Sequence, residues 1–306
     1  MNLYRKLEDF PRRAKGGALT IGNFDGVHLG HSQIIKRLRE HADMVSGIAT
    51  VFTFDPHPVR LLRPEKTPPP LTWTNRKAAL LSELGVDAIV AYPTNTDFLK
   101  LSYREFFDQI IVNAIGAKAV IEGPNFFFGR SREGTVQTLQ QLCDESSISF
   151  EVVNPVETDG IYISSSRIRD LVRHGDVAGA RSMLTRPYRI RGMVTHGAAR
   201  GTSIGFPTAN LDAIDTLIPA NGVYAGIAHL DGRSHLSAIN IGPNPTFGEL
   251  AKKVEVHILN FEESIYGKTI EVDFMERLRD IRQFDSAGEL QKQLSEDVAE
   301  VRRLVK

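Results

Sequence analysis

The chain has 306 residues, 42% of them hydrophobic and 24% charged, which is enough apolar material for two domains that each bury a core. Its 37 Lys and Arg balance its 37 Asp and Glu, so no general basic field exists to draw in nucleic acid or an anionic membrane. Its one cysteine, Cys143, excludes an internal disulfide and a cysteine-based zinc cluster, and no apolar run is long enough to span a bilayer.

In chain order, residues 1–10 lack a hydrophobic signal core, which leads us to expect a cytoplasmic protein. An apolar strand around Gly17 to Ile21 then stops on GNFDGVHLGH (Gly22 to His31), and an amphipathic helix pattern follows at once. A strand-to-helix turn of this kind suits a triphosphate. The first helical N–H groups have no intrahelical partner and carry the positive end of the helix dipole. Gly30 is expected to let a phosphate approach the backbone. His28 and His31, three apart, are expected on one helical face, where two imidazoles can donate to one phosphoryl group. The plainer alternatives are surface histidines beside a tight turn, or a metal pair that lacks a third ligand at suitable spacing.

Short β-branched runs predict four more buried parallel strands: Gly47 to Phe54, Val86 to Tyr92, Ala117 to Gly123 and Ile148 to Asn154. Between them lie helical patterns, one opened by Ser102 with Glu105 three residues later as a capping box. Cys143 is expected to pack on a helix. The tract RPEKTPPP (Arg63 to Pro70) reads as an extended loop or lid, or as a stiff connector. The alternation predicts an α/β domain with a doubly wound parallel sheet, whose ligands bind beyond the carboxyl ends of the strands. Three further segments suit those ends. TFDPHP carries Asp55 and His57, and GPNFFFG carries Asn125 and three aromatics able to stack on a flat heterocycle or to fill the core. ISSSRIRDLVRHGD opens a helix with hydroxyls followed by Arg167 and Arg169, either a phosphate-binding start or a capped, solvated helix face.

After RPYRIRG (Arg186 to Gly192) the texture changes to strands in close succession, with Asp231-Gly232 as a hairpin signal. A small antiparallel β-barrel is predicted, closed by a C-terminal helix capped by Ser286 with Glu289. The boundary falls between 1–185 and 186–306. In HGAARGTSIGFPTAN, small residues permit a backbone to wrap phosphates, and Thr208 and Asn210 project to the same side. In VEVHIL, alternation groups Glu255 with His257 and Leu259 against Val254, Val256 and Ile258. Read alone, Glu255 is a solvated strand residue or a proton acceptor. His196, His229 and His235 read as structural.

The GNFDGVHLGH turn resembles the signature of HxGH nucleotidyltransferases. Together with TFDPHP, GxNFxFG and ISSSRIR, it resembles in order and spacing the prokaryotic bifunctional riboflavin kinase/FMN adenylyltransferases, also called FAD synthetases. GFPTAN, GVYAG, INIGPNPTFGE and VEVHILNFEESIYGK resemble the riboflavin kinase module, so the likeness covers nearly the whole chain. It implies ATP-dependent phosphorylation of riboflavin to FMN and adenylylation of FMN to FAD, with Mg²⁺ as cofactor. The expected partners are small molecules only, with no nucleic acid or membrane, and the expected state is a monomer or weak homo-oligomer.

In the first domain the resemblance makes His28, His31 and Arg167 catalytic. It assigns Gly22, Asn23, Asp25, Gly30, Asn125, Ser165 and Ser166 to ATP, and Phe54 and Phe128 to the flavin. In the second domain Gly197 and Arg200 would contact ATP, Thr208 and Asn210 would hold Mg²⁺, and Glu255 would be the general base. The chain departs from the pattern at Thr202 and Ser203, where a basic residue is usual, and at Pro243, which stiffens its loop. The rival readings are one working site beside a vestigial one, and a flavin-sensing regulator that retained the fold.

Overall fold

The computed structural model describes residues 2–158, 160–197, 200–244 and 249–305. The chain divides into two compact units, Met1–Pro68 with Trp73–Ser164, and Pro69–Thr72 with Ser165–Lys306.

The first unit runs β1 (Asn2–Tyr4), β2 (Ala18–Ile21), α1 (Leu29–Met44), β3 (Ala49–Phe54), α2 (Pro58–Leu62), α3 (Thr74–Glu83) and β4 (Ala88–Tyr92). It continues with α4 (Tyr103–Phe106), which runs on as a π-helix over Phe107–Ile115, then β5 (Ala119–Glu122), α5 (Val136–Glu145), β6 (Ser149–Val152) and a small hairpin of β7 (Glu157–Thr158) and β8 (Ile161–Tyr162). The sheet order is β1-β4-β3-β2-β5-β6 and every pairing is parallel. β1 was not anticipated, because three residues are too few to display a period. β3 starts two residues later than the apolar pattern. A Cβ at Gly47 would stand 2.5 Å from Gly17 Cα, so the two backbones pass where no side chain fits.

Both faces of the inner strands β2 to β5 are covered, which is why they are largely apolar at successive positions, whereas β6, expected to be buried, lies at the sheet edge with Ser149 and Val152 exposed. Leu19, Ile21, Phe52 and Val120 pack with Phe106, Phe107 and Cys143 on one side. Ala18, Val51 and Ile121 pack with Ile35 and Leu38 of α1 and Leu81 of α3 on the other. Burial pushes the Cys143 thiol up to about 12, as suits a packing residue. Ser102 caps α4 as expected: its Oγ accepts from Glu105 N–H at 3.2 Å, and Glu105 Oε2 accepts from Ser102 N–H at 2.9 Å. The strand order reverses between β2 and β5, the switch point beyond which α/β sheets bind ligands.

The second unit comprises α6 (Ser165–Arg173), α7 (Val177–Met183), β9 (Tyr188–Thr195), α8 (Arg200–Ser203), β10 (Ala209–Asp212), β11 (Gly222–Leu230), β12 (Arg233–Asn244), β13 (Glu249–Ile258), β14 (Thr269–Arg279) and α9 (Ala287–Leu304). The six strands close into an antiparallel barrel in the order β10-β13-β12-β11-β14-β9. Asp231 and Gly232 turn β11 into β12 with φ of 48° and 77°, the double positive φ that a tight hairpin requires. Ser286 Oγ accepts from Glu289 N–H at 3.2 Å to start α9, whose Val301, with Val305 just beyond its end, is buried against Ala225 and Ala238. The helices α6 and α7 group with the barrel: α7 packs on β14 and β9, and Ala220 N–H donates to Val172 O at 3.3 Å.

Candidate active sites

β2 delivers the chain to the switch point, and the turn beyond it is tightly wound. Phe24, Gly26 and Val27 have φ of 47°, 85° and 42°. The unusual conformations at Phe24 and Val27 persist because both side chains are buried. His28 is the N-cap of α1, with φ −82° and ψ 173°, and so lies just before the helix. Its Nδ1 accepts from His31 N–H at 3.3 Å, while His31 Nδ1 accepts from His28 N–H at 3.3 Å. The rings stack with centroids 3.6 Å apart. The expected shared helical face is therefore corrected to a reciprocal cap, in which each ring satisfies an orphan N–H of the other residue. Gly30 has a different reason from the one expected. A Cβ there would come within 3.1 Å of His28 Cε1 and Nδ1, so glycine makes room for the imidazole.

This geometry fixes the tautomers. An Nδ1 that accepts a backbone N–H carries no proton, so each neutral ring bears its hydrogen on Nε2. Burial lowers His28 from 6.5 to about 4, against a smaller opposing pull from Asp25. Burial, then the His28 ring, then the Lys77 charge hold His31 well below its usual value. At neutral pH the pair offers Nε2–H donors without positive charge.

Two side chains beside the turn escaped the sequence reading. Lys77 of α3 is 9% exposed, the one buried Lys or Arg among the described residues. Its Nζ lies 3.5 Å from Thr53 Oγ1, which donates to Asn23 O at 3.3 Å. The available signal was its place on the apolar stripe of α3, three and four residues before Leu80 and Leu81. Glu122, 2% exposed, accepts the Ile21 N–H on Oε1 at 2.6 Å. The β2–β5 pairing ends at Leu19 and Val120, so this carboxyl serves an N–H that the parting strands leave behind. Burial holds Glu122 protonated well above the usual carboxylate range.

Of the remaining candidates in this unit, Gly22 passes closely under Phe24, where a Cβ would lie 3.1 Å from Cε2. Asp25 is buried, and Asn23 Oδ1 is buried without a partner among the described residues. Asn125 is exposed after β5. Phe54 is half-buried, its ring 5.5 Å from Phe52 and 5.9 Å from Phe98. Phe128, expected to touch flavin, is 5% exposed and packs in the core, with Phe106 and Phe126 each 5.6 Å away. Its ring is committed to packing, whereas the exposed member of the run is Phe127, under the Arg132 guanidinium at 4.3 Å. Ser165, Ser166 and Arg167 open α6, in the second unit.

In the barrel, strand pairing sets Thr195, Asn210, Glu255 and Asn240 side by side on β9, β10, β13 and β12. Asn240 Nδ2 stands 3.5 Å from Glu255 Oε2, a neighbour that sequence alternation alone did not reveal. A cleft of about 230 Å³ has Thr208 and Asn210 in its wall, with Val194, Val256, Ile258 and Tyr266. Gly197 clears space for Asn210, since a Cβ there would stand 2.1 Å from its Nδ2. The backbone leading to Thr208 is held through Pro207 O, 2.8 Å from His257 Nδ1.

Leu259 departs from the expected alternation. β13 ends at Ile258, and Leu259 packs in the cluster under α9. His196 stacks on Tyr266 at 3.9 Å, His229 pairs with Asp273 at 2.8 Å, and His235 meets Phe261 edge to face. Arg200 begins α8, but its side chain lies outside the described residues, as do residues 245–248 of the loop that follows Pro243.

The sequence model of the FAD synthetase family matches residues 10–167, and that of the riboflavin kinase family matches residues 184–305. The bifunctional riboflavin kinase/FMN adenylyltransferase of Pseudomonas fluorescens is 35% identical over 305 residues, covering 99% of this chain and 98% of that protein. The protein of the same name from Bacillus subtilis is 34% identical over 290 residues, 93% of this chain and 91% of its own. A crystal structure described as a macrolide-efflux protein from Streptococcus pneumoniae superposes with a TM-score of 0.87 at 31% identity, covering 98% of each chain. With one family matching the parallel-sheet portion, the other matching the barrel, and relatives alike from end to end, the chain belongs to the bifunctional riboflavin kinase/FMN adenylyltransferase family.

Proposed function

We propose that adenylyl transfer occurs at the His28–His31 turn and phosphoryl transfer to riboflavin at the Asn210–Glu255 face of the barrel. The chain is a bifunctional enzyme: it phosphorylates riboflavin to FMN with ATP, then adenylylates FMN with a second ATP to give FAD and pyrophosphate. We put the functional boundary near Thr185. The use of ATP supports a cytoplasmic location. The efflux name of the Streptococcus protein is not carried over, because paired imidazoles and a carboxylate beside neutral oxygens serve phosphate chemistry.

The observation that carries the assignment is the pinned pair of neutral imidazoles. The FMN phosphate is already an anion and needs no base, so an adenylyl-transfer site needs donors fixed in advance rather than a proton acceptor. The Nε2–H groups of His28 and His31 meet that need. Asn23 and Asp25 shape the ATP turn, with the buried Asn23 Oδ1 left to accept from substrate. Ser165, Ser166 and Arg167 hold the departing phosphates, Asn125 contributes at the nucleotide or flavin edge, and Phe54 offers an aromatic surface to the flavin.

Riboflavin presents an alcohol, whose proton must go somewhere as the oxygen attacks the γ-phosphorus. Glu255 takes it, and Asn240 Nδ2 steadies the carboxylate from the neighbouring strand. The oxygens of Thr208 and Asn210 fit Mg²⁺, which prefers hard neutral or anionic oxygen ligands and keeps others from water and ATP. When bound there, the ion would neutralise charge on the ATP phosphates. Gly197 and the segment from Arg200 complete the phosphate-binding backbone.

The test is to incubate the full chain with riboflavin, ATP and Mg²⁺ and to separate the flavins by chromatography. Wild type yields FMN and then FAD, while His28→Ala accumulates FMN because FAD formation falls about a hundredfold or more. Equal loss of both products in a folded His28→Ala variant would contradict the two-site assignment.

A further inference from the structure

We propose that Lys77 is a catalytic residue of adenylyl transfer, its ammonium contacting the phosphate oxygens on which negative charge gathers as the FMN phosphate attacks ATP. The inference rests on reading the His28–His31 turn as the adenylyl-transfer site.

The need for such a group comes from the histidines themselves. Two polyanions must meet at this turn, and the reciprocal cap leaves both imidazoles as uncharged Nε2–H donors. Hydrogen bonds can order the phosphoryl oxygens, but they do not cancel the net charge of the approaching groups. Among the described residues of the first unit, Lys77 is the buried cation.

Its placement suits the task. Thr53 Oγ1, 3.5 Å from Nζ, is the same hydroxyl that holds the Asn23 carbonyl, so the ammonium lies at the floor of the ATP turn. It is near enough to His31 for its charge to disfavour imidazolium, and although burial lowers the Lys77 ammonium below its usual range, the Asp25 and Asp55 carboxylates pull in the opposite direction and favour its protonated form. Thr53 accounts for one of the three ammonium hydrogens, and it is the one hydrogen-bond partner of Nζ among the described residues. Burying an ammonium with so few partners is costly unless another anion completes the set. Triphosphate oxygens would do so.

The chemistry balances without a proton transfer. A bond forms from an FMN phosphate oxygen to the α-phosphorus, and the bond from that phosphorus to the bridging oxygen breaks, its electron pair leaving on pyrophosphate. Lys77 stays an ammonium throughout and acts by charge.

A purely structural reading would have Lys77 only balance Asp25 and Asp55. Three variants of the full chain separate the two: Lys77→Met, Lys77→Arg, and Lys77→Met combined with Asp55→Asn, which removes one of the two carboxylates whose charge Lys77 opposes, the one also paired with Arg5 at 3.3 Å. FAD formation from added FMN is measured as kcat and KM, and riboflavin phosphorylation in the same preparations reports an intact barrel. Lys77→Met is expected to lower kcat for FAD about a hundredfold or more, with kinase activity within about twofold of wild type. Lys77→Arg should restore part of the rate, and the double variant should stay as slow as Lys77→Met.

A kcat within about threefold of wild type in Lys77→Met, or its recovery in the double variant, overturns the proposal. If Lys77→Met fails to fold, Lys77→Arg and the double variant decide between the same outcomes. A wild-type chain that makes no FAD, or a His28→Ala variant as active as wild type, would instead refute the reading of the turn itself.

Discussion

The turn after β2 and the outer face of the barrel, which we propose as the two sites of ATP chemistry, gather opposite kinds of group. Around the turn stand neutral N–H donors and a buried ammonium; on the barrel a carboxylate stands between two asparagines, with a threonine hydroxyl nearby in the cleft. The difference follows from the nucleophile. A phosphate arrives already ionised, so the protein supplies orientation and positive potential, whereas an alcohol must lose a proton, so the protein supplies a base. The means of holding each group also differ. The histidines are fixed by local backbone hydrogen bonds within a single turn, whereas the barrel residues are aligned by pairing between strands distant in sequence.

The sharpest break of that comparison is Glu255→Gln. The amide keeps the shape and removes the proton acceptor, so FMN formation from riboflavin should fall about 10²- to 10⁴-fold while FAD formation from added FMN is unchanged. Retention of near-full kinase activity across neutral pH would show that the barrel needs no base and resembles the turn after all.

A smaller effect is expected from Gly197→Ala. The new methyl would stand 2.1 Å from Asn210 Nδ2 and 2.7 Å from its Cγ. Asn210 must shift, and misplacing a positioning group by a fraction of an ångström should cost about tenfold in kinase kcat/KM, with a raised requirement for Mg²⁺. Titrating Mg²⁺ against kinase rate checks this, and an unchanged midpoint would remove Asn210 from the ion's coordination.

The mildest test concerns stability and pH at the turn, where two buried groups pull in opposite directions. His28 is lowered from 6.5 to about 4, so its contribution is present above 6.5 and is lost as pH falls toward 4. Glu122 is raised above its usual 4.5, so its contribution is present below 4.5 and is lost as pH rises toward the folded value. Glu122→Gln keeps an oxygen to accept the Ile21 N–H and cannot ionise. It should therefore unfold at a higher temperature than wild type at pH 8 and at nearly the same temperature at pH 4. Parallel melting curves at both pH values would mean that Glu122 is not held protonated.

Much of this molecule is written locally in the sequence. The capping box at Ser102, the Ser286 cap, the Asp231-Gly232 hairpin and the strand-turn-helix at Gly22 to His31 each depend on hydrogen bonds among residues a few positions apart. Composition and spacing suffice to reveal them. The alternation of apolar runs with helical periods likewise declares a parallel sheet before any coordinates are known.

Only the tertiary structure decided which side chains those elements bring together. Lys77 reads as one more polar residue of an amphipathic helix until α3 docks beside Thr53, and Glu122 has no purpose until β2 and β5 part above Leu19 and Val120. Three consecutive phenylalanines could not reveal that Phe128 would enter the core while Phe127 stayed outside. The neighbours Asn210, Glu255 and Asn240 come from separate strands, and only the register of the closed barrel sets them abreast. The physical reason is the range of the interaction. Capping and periodicity are properties of a few adjacent peptide units, whereas burial and cross-strand contact depend on where segments far apart in the chain come to rest.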